Sequence, residues 1–264
     1  MKSGRITQFA AALCLLPALF THGDEAAVAG REILKNNQAA VVTVQMVVKM
    51  SSSVGGGNTQ ERESKEEATG TIIRPDGLTV LSLSSTDPSS IFKTMSGGAN
   101  ADFKMDTQLS DVKLLLHDNT EIPAEVVIRD VELDLAFLRP LTPPAAPLAF
   151  VDIQGNQGTV QLLDRVVTLN RLGRVANRVY SASFEYIDAV VEKPRTYYIP
   201  GNDPTSTSQG SPVFSLDGKV VGVFVLRAIS AEAGAGGRGN NVIPIILPAA
   251  DIAEGLGQIP PQAE

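Results

Sequence analysis

Hydrolysis at a serine needs three groups side by side: a hydroxyl, a base that takes its proton, and a third group that orients the base. The stretch TSTSQGSPVFSLDGKVVGV, residues 205–223, crowds hydroxyls around Gln209, with Ser208 and Ser211 on its flanks, and runs into a hairpin at Asp217-Gly218. The base is what the chain is short of. Its two histidines are His22 and His117, and its one cysteine is Cys14. His117 precedes Asp118-Asn119-Thr120, a turn composition, and reads as a solvated turn residue. Asp130, Glu132 and Asp134 alternate, so in an extended strand their carboxylates would share one face. A hard cation such as Ca²⁺ accepts such a set, although acids solvated near a turn are the simpler reading. The loop GAGGRG, residues 234–239, has the spacing of a dinucleotide fingerprint, but the apolar strand NVIPIIL follows it where a helix would have to start. No metal and no cofactor is expected.

Residues 1–23 place Lys2 and Arg5 ahead of the apolar run FAAALCLLPALF. That run is too short to span a bilayer and reads as a secretory signal, with Thr21 and Gly23 as the small residues before a cleavage site. Cys14 and His22 would leave with it. The mature chain would then hold His117 alone and no cysteine, too little for the usual zinc ligand set. No membrane span would remain. Export without disulfides suits a bacterial periplasm or the external medium. The loss of Lys2 and Arg5 would make the net charge of −7 more negative still, which argues against nucleic acid and anionic lipid as partners.

The elements that must position these residues are strands. Residues 24–37 carry helical spacing (Ala27, Ile33, Leu34), and AAVVTVQMVVKM after them is rich in β-branched residues. SSSVGGGNTQERESKEE reads as an exposed, mixed-charge loop. TGTIIRPDGLTVLSL folds back at Pro75-Asp76-Gly77 as a hairpin. Residues 87–111 show no sustained period and read as a surface insertion, after which VKLLLH, EIPAEVVIRD and DLAFLRP supply three strands. PLTPPAAPLAF holds four prolines and marks a linker. Short strands then resume as GTVQLLDRVVTLN, RVYSASFEYIDAVVE, TYYIP, SPVFS, KVVGVFVLRA and NVIPIIL, and PAADIAEGLG closes the chain with the composition of a short helix. The organisation is a signal at 1–23, a helix at 24–37, a first β-unit at 38–140, a linker at 141–155, a second β-unit at 156–247, and a helix with a tail at 248–264. The fold class is all-β.

Three of these segments, in order, resemble one family. ATGTIIRPDGLTVLSLSS, LLLHDNTEIPAEVVIRDVELDLAFLRP and SQGSPVFSLDGKVVGV are similar to the histidine, aspartate and serine segments of HtrA-type, chymotrypsin-fold serine proteases, and the likeness extends over about residues 39–252. The resemblance implies two six-stranded β-barrels with short N- and C-terminal helices. It puts Ser84 at the histidine position, Asp134 at the aspartate and Gln209 at the reacting serine. Thr207 falls at the first glycine of the oxyanion loop, whose backbone geometry a β-branched residue enters only with strain. Glutamine has no ionisable hydroxyl, and Ser84 has no basicity near neutral pH.

The resemblance therefore implies a catalytically degenerate member, a pseudoprotease acting as a peptide-binding or regulatory module. It is expected to lack the PDZ domain of HtrA-type enzymes. Phe224, Val225 and Leu226 fall on the strand along which family members lay a substrate, so an extended peptide or protein segment is the expected partner, paired through the backbone. Tyr197-Tyr198 line the same cleft or pack the second barrel. The alternatives are a working serine-type endopeptidase with a non-standard site and a structural, envelope-associated domain.

Overall fold

The run VVTVQMVVKMSSSV makes the longest strand of the molecule and organises the first half around it. The computed structural model describes residues 24–54, 59–91, 103–201, 208–228 and 242–259. Helix α1 (Glu25–Asn37) opens this part, with the Asp24 carboxylate accepting from the Ala26 N–H at 3.1 Å as its N-cap. Six strands follow: β1 (Val41–Val54), β2 (Gln60–Ile72), β3 (Thr79–Ser82), β4 (Phe103–Leu115), β5 (Glu121–Asp130) and β6 (Leu135–Pro140). They close in the order β1-β2-β3-β6-β5-β4. A second six make the second closed barrel: β7 (Arg165–Arg171), β8 (Tyr180–Val191), β9 (Tyr197–Pro200), β10 (Pro212–Ser215), β11 (Val220–Ala228) and β12 (Val242–Pro248). Their order is β10-β11-β12-β9-β8-β7. A short helix, α2 (Ala249–Gly255), and a 3₁₀ turn, Leu256–Gln258, follow β12. The expected class, all-β with two six-stranded barrels and short terminal helices, is the class observed.

Period-two burial shows on β1 and β8. β3 and β6 are buried along their whole length, and Phe137, Phe214 and Phe224 are the largest fully buried side chains. Burying a side chain of that size contributes about 1.5–3 kcal/mol. The hairpin at Pro75-Asp76-Gly77 forms as expected. Gly77 has φ 87°, its N–H donates to the Arg74 carbonyl at 3.0 Å, and Ile73 N–H reaches Leu78 O at 2.8 Å.

Three sequence readings change. Residues 51–67 are strand on both sides of 55–58, since β1 runs out to Val54 and β2 starts at Gln60. The proposed insertion at 87–111 includes a helical turn at 88–91 and most of β4, which pairs with β1 from Val54↔Phe103 to Thr43↔Leu115. Both errors have one cause: the edges of β1 recruit segments too polar to announce themselves as strands. The third concerns Asp130, Glu132 and Asp134. The strand ends at Asp130 and residues 131–134 form a turn, with Asp134 at φ 55°, so the three carboxylates do not share a face. Asp134 is buried, while the Glu132 side chain is 78% exposed.

The barrels touch through polar groups as well as core. Thr69 donates to Asn170 Oδ1 at 3.1 Å, and the buried Arg171 reaches from β7 to the Leu115 and Leu116 carbonyls at 2.5 and 3.0 Å. Glu67 on β2 accepts from Arg174 at 2.9 Å and Arg178 at 2.5 Å, both on the β7–β8 connection.

Candidate functional site

The strand β3 ends in Ser82 and continues through a single 3₁₀ turn, Leu83–Ser85. This brings Ser82, Ser84 and Ser85 to the seam between the barrels. Asp134 arrives from the β5–β6 turn. Its left-handed backbone, disfavoured outside glycine and a few polar residues, is held by the Leu83 N–H, which donates to the Asp134 carbonyl at 2.8 Å. The side chain then turns into the protein, where the residue is 6% exposed. Gln209 comes from the second barrel, one residue before Gly210 (φ 87°), whose N–H donates to Phe224 O and whose carbonyl accepts from Thr71 Oγ1, both at 2.8 Å. A Cβ on Gly210 would lie 2.1 Å from the Thr69 carbonyl oxygen, so only glycine lets the loop approach the first barrel this closely.

The result is a hydrogen-bonded chain of oxygens. Asp134 Oδ1 accepts from the Ser84 N–H at 2.7 Å. Its Oδ2 accepts from Ser82 Oγ, from Ser84 Oγ at 3.1 Å and from the Leu226 N–H at 2.9 Å. Ser84 Oγ also lies 2.7 Å from Ser82 Oγ and 3.4 Å from Gln209 Oε1, which accepts from Ser85 Oγ at 2.9 Å. These donors favour the carboxylate, yet burial outweighs them and pushes Asp134 up to about 6. Ser211, wholly buried, has a hydroxyl without a hydrogen-bond partner among the described residues.

Three expected positions, Ser84, Asp134 and Gln209, are therefore brought together from residues 125 apart in sequence at most. Thr207 and the loop 234–239 lie outside the described residues, as does 1–23. His117 is exposed on the β4–β5 turn and is not among the groups that meet Asp134. The side chains of Phe224 and Val225 are core, each 1% exposed. Any pairing there is left to the backbone. Two members of the cluster escaped the sequence reading, Ser82 and Ser85. Ser82 had a signal, a serine spaced two from Ser84 at the end of a strand that is otherwise apolar. Ser85 had none.

The cleft-facing edge of β11 follows from its partners. Phe224 bonds Ser211 O and Gly210 N–H on one side, while Gly222 to Ala228 run beside β12 on the other. By alternation Leu226 and Ala228 face the same way as Phe224, and the Leu226 N–H indeed ends on Asp134. The Leu226 carbonyl and the Ala228 N–H therefore point into the cleft, where no described strand pairs with them.

No curated protein matches the sequence significantly. The crystal structure of the Rv3671c protease from M. tuberculosis in its active form superimposes with a TM-score of 0.55 at 18% sequence identity, covering 98% of this chain and 96% of that one. At that identity the likeness concerns the fold. The family described as "Trypsin-like peptidase domain" matches residues 68–223, which is more than half of the chain and includes Ser84, Asp134 and Gln209. Two six-stranded barrels closed in this order, together with a family match over more than half of the chain, make the chain a member of the trypsin-like peptidase family.

Proposed function

We propose that this family member does not hydrolyse peptide bonds and instead holds an extended peptide or protein segment along the cleft-facing edge of β11, outside the cytoplasm. The observation behind the reading is the chain Ser85–Gln209–Ser84–Asp134: hydroxyls, an amide and a carboxylate meet where a triad would need an imidazole between carboxylate and nucleophile. Serine attack depends on a base that accepts the hydroxyl proton and is itself oriented. Here the carboxylate is occupied by hydroxyl and amide donors, and the nucleophile position carries a carboxamide. Strand addition asks for none of this. It needs an edge with one donor and one acceptor in register, and Leu226 C=O with Ala228 N–H offers both.

The test uses two probes on the purified protein. A fluorophosphonate is expected to label no serine, and fluorescein-labelled casein, an unfolded chain, is expected to be retained without being cut. Stoichiometric labelling of Ser84, Ser85, Ser208 or any other serine overturns the reading in favour of a working peptidase. Casein that is neither retained nor cut leaves the structural role.

A further inference from the structure

If the β11 edge receives an extended segment, the group that sets this edge belongs to the other barrel. Along the cleft side of β11, Phe224 is fixed from within the second barrel by Gly210 and Ser211. The next donor, the Leu226 N–H, is fixed from the first barrel by Asp134 Oδ2 at 2.9 Å, across 92 residues of sequence. Directly after it come the Leu226 carbonyl and Ala228 N–H that would meet an added strand. Leu226 N–H can only donate, whereas the hydroxyls of Ser82 and Ser84 can turn round and accept. An ionised Asp134 serves every donor around it. Once it carries a proton, one hydroxyl must reverse and the oxygen facing Leu226 becomes the poorer acceptor of an acid. A notch of about 30 Å³, lined by Ser90, Ile91, Val131, Glu132, Asp134, Leu226 and Ala228, adjoins this point and leaves the backbone room to move.

We infer that Asp134 is a positioning residue for the β11 edge: ionised, it pins the Leu226 N–H and aligns Leu226 C=O and Ala228 N–H for an incoming strand, and protonated, it releases them. The inference rests on the segment-capture reading for its function, not for its chemistry. Burial, which pushes Asp134 up to about 6, puts the change in the mildly acidic range. The charged groups on the surrounding elements are already engaged. Asp130 takes the Leu133 N–H at 3.0 Å, Glu132 faces Arg195 at 3.9 Å, Asp87 holds the Ser89 N–H at 3.1 Å, and Arg227 lies 5.2 Å from the Tyr197 ring centre. Among the described residues, the strand and turns that bring Ser82, Ser84, Ser85 and Gln209 carry no charged side chain.

The test follows the Leu226 amide by ¹⁵N NMR and hydrogen exchange in the purified protein as pH is lowered from about 7.5 to about 5. Its shift is expected to move with a midpoint near that of Asp134, and its exchange, corrected for intrinsic rate, to quicken about tenfold on the acid side. Fluorescein-labelled casein in the same samples should bind about tenfold more weakly at the acid end. Asp134→Asn should make both readouts flat, and Glu132→Gln should leave both steps in place. A Leu226 amide that ignores pH, or a step that survives Asp134→Asn or vanishes in Glu132→Gln, overturns the inference whatever casein does. Should Asp134→Asn fail to fold, the wild-type amide titration and the Glu132→Gln control decide alone. A Leu226 amide that titrates as stated beside casein that is retained at neither pH upholds the pin and sinks the capture reading.

Discussion

At Asp134 desolvation and hydrogen bonding oppose each other, and desolvation is the larger. A carboxyl raised from 3.8 to about 6 binds more protons in the folded than in the unfolded state between those values. Its contribution to stability therefore falls as pH rises through that window, by on the order of 2–3 kcal/mol, and is level above it. Urea unfolding should show the wild type gaining that amount over Asp134→Asn as pH drops from about 6 to about 4; a constant difference refutes the assignment. Gly210 is the other residue with a sharp expectation. Alanine there meets the Thr69 carbonyl and must hold a positive φ, so Gly210→Ala should cost more than about 2 kcal/mol in the same assay. Both residues were named or bracketed in the sequence, Asp134 by the resemblance of its segment to the family's aspartate segment and Gly210 by the loop it sits in. Their environments were not, because burial and close approach depend on the other barrel.

Among the elements, the β7–β8 connection and β2 form a charged clasp. Glu67 is held down to about 2 by hydrogen bonds from Arg178, Gln45 and Arg174, which outweigh its burial. A carboxylate depressed in this way adds stability that is fully present above its ordinary value of 4.5 and is lost as pH falls toward about 2. Glu67→Gln should cost about 1–3 kcal/mol at neutral pH, with the gap to wild type closing in acid. A double-mutant cycle with Arg178→Met is the check; a coupling of zero would mean the clasp is ornamental. At this scale the sequence was uneven. The PDG hairpin, the VGVFVL strand and the Pro-rich connection carry strong local patterning. β4 and the outer half of β2 do not, since KMDTQLSD and QERESKEE are strands only through pairing with β1.

For the whole molecule, cohesion of the barrels and the identity of the seam are separate matters. Arg171 spends its guanidinium on the Leu115 and Leu116 carbonyls of the other barrel, with the Tyr180 ring 5.4 Å away. Arg171→Met takes the guanidinium donor from the Leu115 carbonyl and leaves the Leu116 carbonyl with the Asn119 N–H at 3.1 Å; it is expected to cost about 2–4 kcal/mol, read as a lower urea midpoint. Function at the seam is testable by reconstruction. With Ser84→His, Gln209→Ser and Thr207→Gly combined, a fluorophosphonate should label residue 209, which the wild-type chain cannot present; an unlabelled but folded triple variant would show that the cleft geometry has drifted from the family's along with its residues.

The positions Ser84, Asp134 and Gln209 came from the resemblance to HtrA-type proteases. Residue types and local patterning were enough to assign the all-β class and the tight turns, because alternation and turn chemistry are local properties. They were also enough to show that no second imidazole accompanies His117 beyond residue 22. Only the tertiary structure decided that Ser82 and Ser85 join those three, that Asp134 is buried, and that its carboxylate ends on the backbone of Leu226. Each of these is a contact between segments far apart in sequence, and solvent exclusion at a seam does not exist until both barrels have closed.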